Sequence, residues 1–160
     1  MAGIDDSYIV HCAQTLCTMG IRSSYVVLGE SHGVFLKQYA QLTIKDIEAY
    51  KNIIPFGGCI SPENPDTVAE AEKICAKVEA ETQINYGDCA AEVLTVERED
   101  GTEVMACAGK CTPIIAAVEW DKEKEDVFVD KGKKALYGKA TLICKYGGII
   151  TIETTGQPEE

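Results

Sequence analysis

Histidine is nearly absent: the 160 residues include only His11 and His32. That shortage excludes a site built mainly on imidazole, so any metal here must lean on thiolate. There is no Cys-x-x-Cys pair, the strongest local zinc signature, so ligands to one ion would have to converge from distant parts of the chain. No apolar run is long enough to cross a bilayer, which argues against a membrane anchor. The opening Met1-Ala2-Gly3-Ile4-Asp5-Asp6 lacks the basic-then-apolar order of a secretory signal, and synthesis in the cytoplasm is the expectation. Basic residues are scarce too: 15 Lys and Arg stand against 26 Asp and Glu, a formal net charge of −11. Phosphate backbones and anionic lipid repel such a chain, so nucleic acid is not an expected partner. The acid load gathers in 63–103, 119–130 and the tail, where solvated faces account for it.

Catalytic signatures are also missing. No glycine loop cradles phosphate and no His-Glu-x-x-His occurs. Cys17 with His32 could imitate a thiol hydrolase, but nothing local builds a nucleophile elbow or an oxyanion hole. Carboxylates are abundant and scattered. The chain is not expected to be an enzyme, and a thiol enzyme or redox protein is the weakest of the alternatives.

What the chain does have is cysteine, eight of them: Cys12, Cys17, Cys59, Cys75, Cys89, Cys107, Cys111 and Cys144. In a reducing cytosol thiols stay free, and a set of them means metal or burial. Hydrophobic residues at 46% and a length of 160 fit one soluble domain with an embedded excursion.

The pattern along the chain is mainly β. Ser7–Val10, Ser24–Leu28, Gly33–Leu36 and Gln41–Ile44 read as short strands, the last two as a hairpin, with a turn at Cys17–Gly20. Pro55 keeps Asn52–Phe56 extended. Past the turn cluster Ser61–Asp66, helical spacing of Val68, Ala71, Ile74, Cys75 and Val78 predicts a helix from about Thr67 to Gln83, capped by Asp66 or Thr67 and stopped by Asn85–Asp88. Residues 92–97 and 102–107 flank Asp100-Gly101 as a hairpin. Residues 62–108 thus form an α+β insertion in a β chain. Thr112–Ile115, the pair Val127–Val129 with Ala135–Tyr137, and Gly148–Ile152 resume the strands. Two stretches echo each other, each a hairpin followed by a Cys beside Gly-Gly: residues 33–59 and 126–148. Hairpins unable to bury their own faces would stack around one centre.

Cys17, Cys59, Cys111 and Cys144 each lie in a turn beside small residues, where a sulfur can point inward. Four thiolates can close a tetrahedral, structural zinc site. Spacing alone leaves burial of these thiols as the alternative, since a free Cys packs as a small hydrophobe. Cys12 reads as core beside a strand, Cys75 as packing on the helix, and Cys89 and Cys107 as a pair that could bond or pack. His32 reads as either a further ligand or a satisfied turn residue.

Leu16-Cys17-Thr18-Met19-Gly20, Asn52–Cys59, Cys111-Thr112-Pro113 with Trp120, and Leu142–Ile152 together resemble the PAAR-like proteins of the DUF4280 type. The resemblance covers most of 7–60 and 109–157. It implies a small cone of short β-hairpins with a metal near its apex, zinc or less readily iron, held at Cys17, Cys59, Cys111 and Cys144, with His32 in question. It also implies a place on the blunt end of a trimeric, VgrG-like spike in a contractile injection system, of type VI secretion or an extracellular particle. There the tip sharpens the spike, can carry effector cargo, and is delivered outside or into a target cell. A free-standing zinc-binding adaptor or chaperone for secreted cargo is the competing expectation. Short hairpins bury little apolar area, so a structural zinc, worth roughly 10–16 kcal/mol of apparent binding free energy in small domains, would carry much of the stability. The base would meet the spike through Val34–Leu36 and Val127–Val129.

Overall fold

The computed structural model describes residue 4 and residues 6–83, 90–121, 127–130 and 133–157. The fold is mainly β, antiparallel throughout its sheets, with one long helix. Strand β1 (Ala13–Cys17) pairs on one side with β2 (Ser24–Val26) and on the other with β10 (Ile149–Ile152), which pairs in turn with β9 (Thr141–Ile143). Alternation sets the register: Ala13, Thr15, Val26, Leu142, Ile150 and Ile152 all face the core. Three separate hairpins complete the sheets of the described residues. They are β3 (Phe35–Leu36) with β4 (Tyr39–Ala40), β5 (Thr95–Glu97) with β6 (Glu103–Met105), and β7 (Phe128–Asp130) with β8 (Lys133–Lys134).

Three further segments, around Ile9, Leu42 and Leu136, close on one another. Tyr8 bridges Tyr137, Val10 bridges Gln41, and Thr43 bridges Ala135, so each segment pairs with both others. At the centre the backbone bonds run in a cycle. The Ile9 N–H donates to the Leu136 carbonyl (3.0 Å), Leu136 N–H to Leu42 (2.9 Å), and Leu42 N–H to Ile9 (3.1 Å). The side-chain amide of Gln41 lies over this ring, its Nε2 within 2.9, 2.8 and 3.2 Å of the Ile9, Leu42 and Leu136 carbonyls. Ile9, Leu42 and Leu136 are fully buried. Every central backbone polar group is thereby paired without an ordinary sheet, which a buried irregular segment requires.

The core fills the space from this ring to the far end of the four-stranded sheet, with Phe56, Trp120, Leu142 and Ile150 among its members. Trp120 is sealed in, its indole N–H donating to the Asp46 carbonyl at 3.2 Å. Two arms leave the ring with equal length. Ile9 precedes Cys17, and Leu136 precedes Cys144, by eight residues each, and along both arms an alanine (Ala13, Ala140) is buried.

The insertion contains helix α1 (Pro65–Thr82), the short α2 (Ala90–Val93) and the β5–β6 hairpin. The cap is Asn64 rather than Asp66 or Thr67. Its side chain accepts the Asp66 N–H at 2.9 Å, because Pro65 occupies the first helical position and has no N–H to offer. Gln83 closes the helix in a left-handed conformation, and the expected stop at Asn85–Asp88 lies outside the described residues. The hairpin is shorter than its alternation suggests, since Ala90–Val93 continues helical. Two other expectations change in the same direction. Residues 7–10 and 112–115 are not regular strands but meet single bridge partners, and the expected pair of Val127–Val129 with Ala135–Tyr137 keeps the bond from the Ala135 N–H to the Val127 carbonyl at 3.0 Å while Ala135 also bridges Thr43. Isolated bridges replace ladders because the ring and the bends around it leave no two segments parallel for long.

Candidate metal centre

The two equal arms deliver Cys17 and Cys144 to one place. Cys17 ends β1, and the Gly20 N–H turns back to its carbonyl at 3.0 Å. Cys144 follows β9, and Gly147 N–H turns back to its carbonyl, also at 3.0 Å. Both close an i to i+3 turn, and Gly147, unlike Gly20, takes φ +85°, a left-handed conformation that glycine adopts freely. Gly148 is needed for a different reason: a Cβ there would lie 2.5 Å from the Cys17 sulfur. The Cys-x-x-Gly-Gly sequence is thus a turn plus a seat for the opposing thiol.

Cys59 and Cys111 come from the other side. Cys59 bonds reciprocally with Gly109, both N–H···O distances being 2.9 Å, and also bridges Gly20. Cys111 stands two residues past Gly109, and its sulfur accepts the Phe56 N–H at 3.3 Å. The insertion clamps this edge: Thr67 Oγ1 donates to the Cys59 carbonyl at 2.6 Å and Asn64 Nδ2 to the Lys110 carbonyl at 3.1 Å. Met19, Cys59 and Val104 pack there as a small apolar cluster that Cys17 and Cys111 flank.

Cys17, Cys59, Cys111 and Cys144 all line a single cavity, together with Phe56 and Ile150. Its room for the centre of a water-sized sphere is about 20 Å³, enough for one small ion or one water. Burial pushes the Cys17 thiol up from 9.0 to about 11. The bond from Met19 opposes this, and the nearby Cys144, Cys111 and Cys59 add to it. Burial likewise raises Cys111, against the Phe56 N–H that favours its thiolate, with Cys59 and Cys144 contributing. Burial thus favours the neutral thiol at Cys17 and at Cys111. A soft divalent ion would displace those protons and take four sulfurs, which is the donor set of a closed structural zinc site. Among the described residues, no group of three or more His, Cys, Asp or Glu is arranged to hold a metal as it stands, so the sulfurs would have to close inward on the ion.

His32 is not brought to these thiols. Its Nε2 lies 3.0 and 3.1 Å from the Asp46 carboxylate, in a separate depression lined by Leu28, Glu30 and Lys51. Asp46 in turn accepts from the Thr43 N–H at 2.7 Å and Thr43 Oγ1 at 3.1 Å. His32 therefore sits as a turn residue braced on an acid. Cys12 is exposed with φ +72°, not core, because the bend leaving the ring at Val10 turns it outward. Cys75 is buried on α1 as expected, Cys107 lies 3.7 Å from the Thr67 carbonyl, and Cys89 falls outside the described residues. Sequence reasoning paired two hairpin units and left out the segment at Ile9. The matched eight-residue spacings to Cys17 and Cys144 are the signal for it.

The profile of one family, described as a domain of unknown function (DUF4280), matches residues 9–157. That span begins at the ring residue Ile9 and takes in all four cavity cysteines and the insertion. No curated protein and no solved structure matches the chain.

Proposed function

We propose that this chain, which belongs to the DUF4280 family, is a metal-tied cap for the three-fold end of a trimeric, VgrG-like spike, and that it works as a structural part of a contractile injection machine rather than as an enzyme. The observation that carries the reading is the cyclic ring at Ile9, Leu42 and Leu136. One polypeptide that seals a trimer faces a symmetry mismatch. It can meet three equivalent subunits only if it presents three similar elements about one axis. Three segments of this chain, each bonded to both others, supply that arrangement, and sealing the trimer's strand ends would remove edges open to stray pairing.

The thiol cavity supports the mechanical side of the role. A bound zinc would join Cys17, Cys59, Cys111 and Cys144, tying early, middle and late parts of the chain. When bound, it supplies cross-linking, not Lewis-acid chemistry, because four protein ligands leave no open position. Pulling on any one segment would then load a bond shared with the other three. The cap also offers effector cargo a point of attachment that travels with the spike out of the producing cell.

The test uses the full chain purified under reducing conditions. Elemental analysis should give one zinc per chain, and native mass spectrometry with a purified trimeric β-helical spike should give one chain per trimer. A complex of three chains per trimer, or none, would count against the cap. Binding to a monomeric secreted cargo instead would favour the adaptor reading.

A further inference from the structure

The approximate three-fold repeat of the ring continues outward into two hairpins. β3–β4 leads into Leu42, and β7–β8 leads into Leu136. Phe35 pairs across its hairpin with Ala40, two residues before Leu42, and Phe128 pairs with Lys134, two residues before Leu136. Phe35 stands seven residues before its ring residue and Phe128 eight. The bulge between Phe128 and Asp130 absorbs the difference. The two phenylalanines thus hold equivalent positions about the ring axis. They are also among the most exposed apolar side chains, at 54% and 58%. A single exposed aromatic calls for no explanation, but a symmetry-matched pair does.

Two more observations concern the ring and the same two hairpins. Val34 and Leu36, the neighbours of Phe35, line one open depression together with Phe128, Val127 and Gln41, while Phe35 itself lies outside that lining. The Gln41 Oε1 atom is buried and has no hydrogen-bond partner among the described residues, although its Nε2 meets three carbonyls. A buried acceptor left unpaired costs about 1–3 kcal/mol, which a donor arriving on docking would recover. The same two hairpins carry Lys37, Lys133 and Lys134 in a chain of net charge −11.

Resting on the cap reading, we infer that Phe35 and Phe128 are twin anchors that enter the same apolar pocket repeated on two subunits of the spike trimer. Each pocket has an acidic rim that meets the hairpin lysines, and a donor near the trimer axis meets Gln41 Oε1. The third subunit's pocket receives no phenylalanine from a hairpin of the described residues, so the cap marks one of three chemically identical subunits as different.

The probe is a purified trimeric β-helical spike, titrated with the wild-type chain, Phe35→Ser, Phe128→Ser and the double variant. Each single change should weaken binding about tenfold, the two within a few-fold of each other, and the double change about a hundredfold, as expected of separated anchors. Both side chains are mostly exposed, so melting temperatures should not move, and binding of the wild type should fall with added salt. Wild-type binding that survives both changes, or that depends on only one of them, overturns the twin anchors and leaves the cap standing. A wild-type chain that binds no spike trimer sinks both.

Discussion

The two ends of the core are closed by different means. At the ring, three carbonyls and three N–H groups satisfy one another, and Gln41 adds its amide, so that end is complete as backbone. At the thiol cavity, four sulfurs line one small apolar space, and burial pushes the Cys17 and Cys111 thiols up. On the proposed reading the ring forms as the chain folds, whereas the cavity is finished by a bound ion. Conditional stability is therefore local: it lies in the arms and their clamp, not in the ring.

The largest effect should come from breaking the cavity. Cys59→Ser, or a strong chelator on the wild type, removes a tie that small zinc domains value at roughly 10 kcal/mol or more, and a loss of several kcal/mol here lowers the melting temperature by about 10–20 °C. Hydrogen exchange should then quicken at the Cys59 and Gly109 amides while Leu42 and Leu136 stay protected. Uniform loss of protection would erase the contrast between the ends. Gln41→Leu tests the other side. It leaves the ring's backbone cycle intact but deletes the donor to three carbonyls, at a cost of about 1–3 kcal/mol. Zinc content should stay at one per chain, and a fall would mean the two ends are coupled.

The legible and illegible parts of the sequence follow the same division. Cys17, Cys59, Cys111 and Cys144 could be chosen because each sits in a turn-like stretch with a glycine or proline within three residues, and turn chemistry is local. The helix could be read from its period, yet its cap moved to Asn64 because Pro65 fixes the first turn. The ring was not legible as a ring. Its members are three short apolar segments whose partners lie 33 to 127 residues away, and single bridges leave no alternating ladder to detect. Gln41 reads as an ordinary strand residue, since only the fold puts three carbonyls within its reach. His32 carried the opposite problem: a histidine beside glycine fits a ligand as well as the favoured turn residue until Asp46 is placed next to it.

A smaller effect should appear with pH, and only in the metal-free chain. The Cys17 thiol titrates near 11 in the fold and near 9.0 when unfolded, so between those values the folded state holds the extra proton. Its contribution to stability is fully present below pH 9 and is lost as pH rises through 11. Chemical denaturation of the chelated chain should show a falling midpoint across that window. The zinc-loaded chain should stay flat there, because its sulfurs have already given up their protons to the ion. Equal slopes for the two forms would mean that Cys17 does not belong to the metal's set.

The smallest effect expected is that of His32→Asn. The imidazole is mostly buried and holds Asp46 from one side, while Asp46 fixes the Thr43 backbone next to the ring. Losing that partner should cost about 1 kcal/mol and leave the zinc content unchanged. The size matters less than where the loss appears. If the histidine braces only the bend between Thr43 and Asp46, amide exchange should quicken around Thr43 and remain slow at Cys17 and Cys144. If zinc content falls with the substitution, the cavity draws on a fifth side chain, and the line separating a self-sufficient ring from an ion-dependent cavity has been drawn in the wrong place.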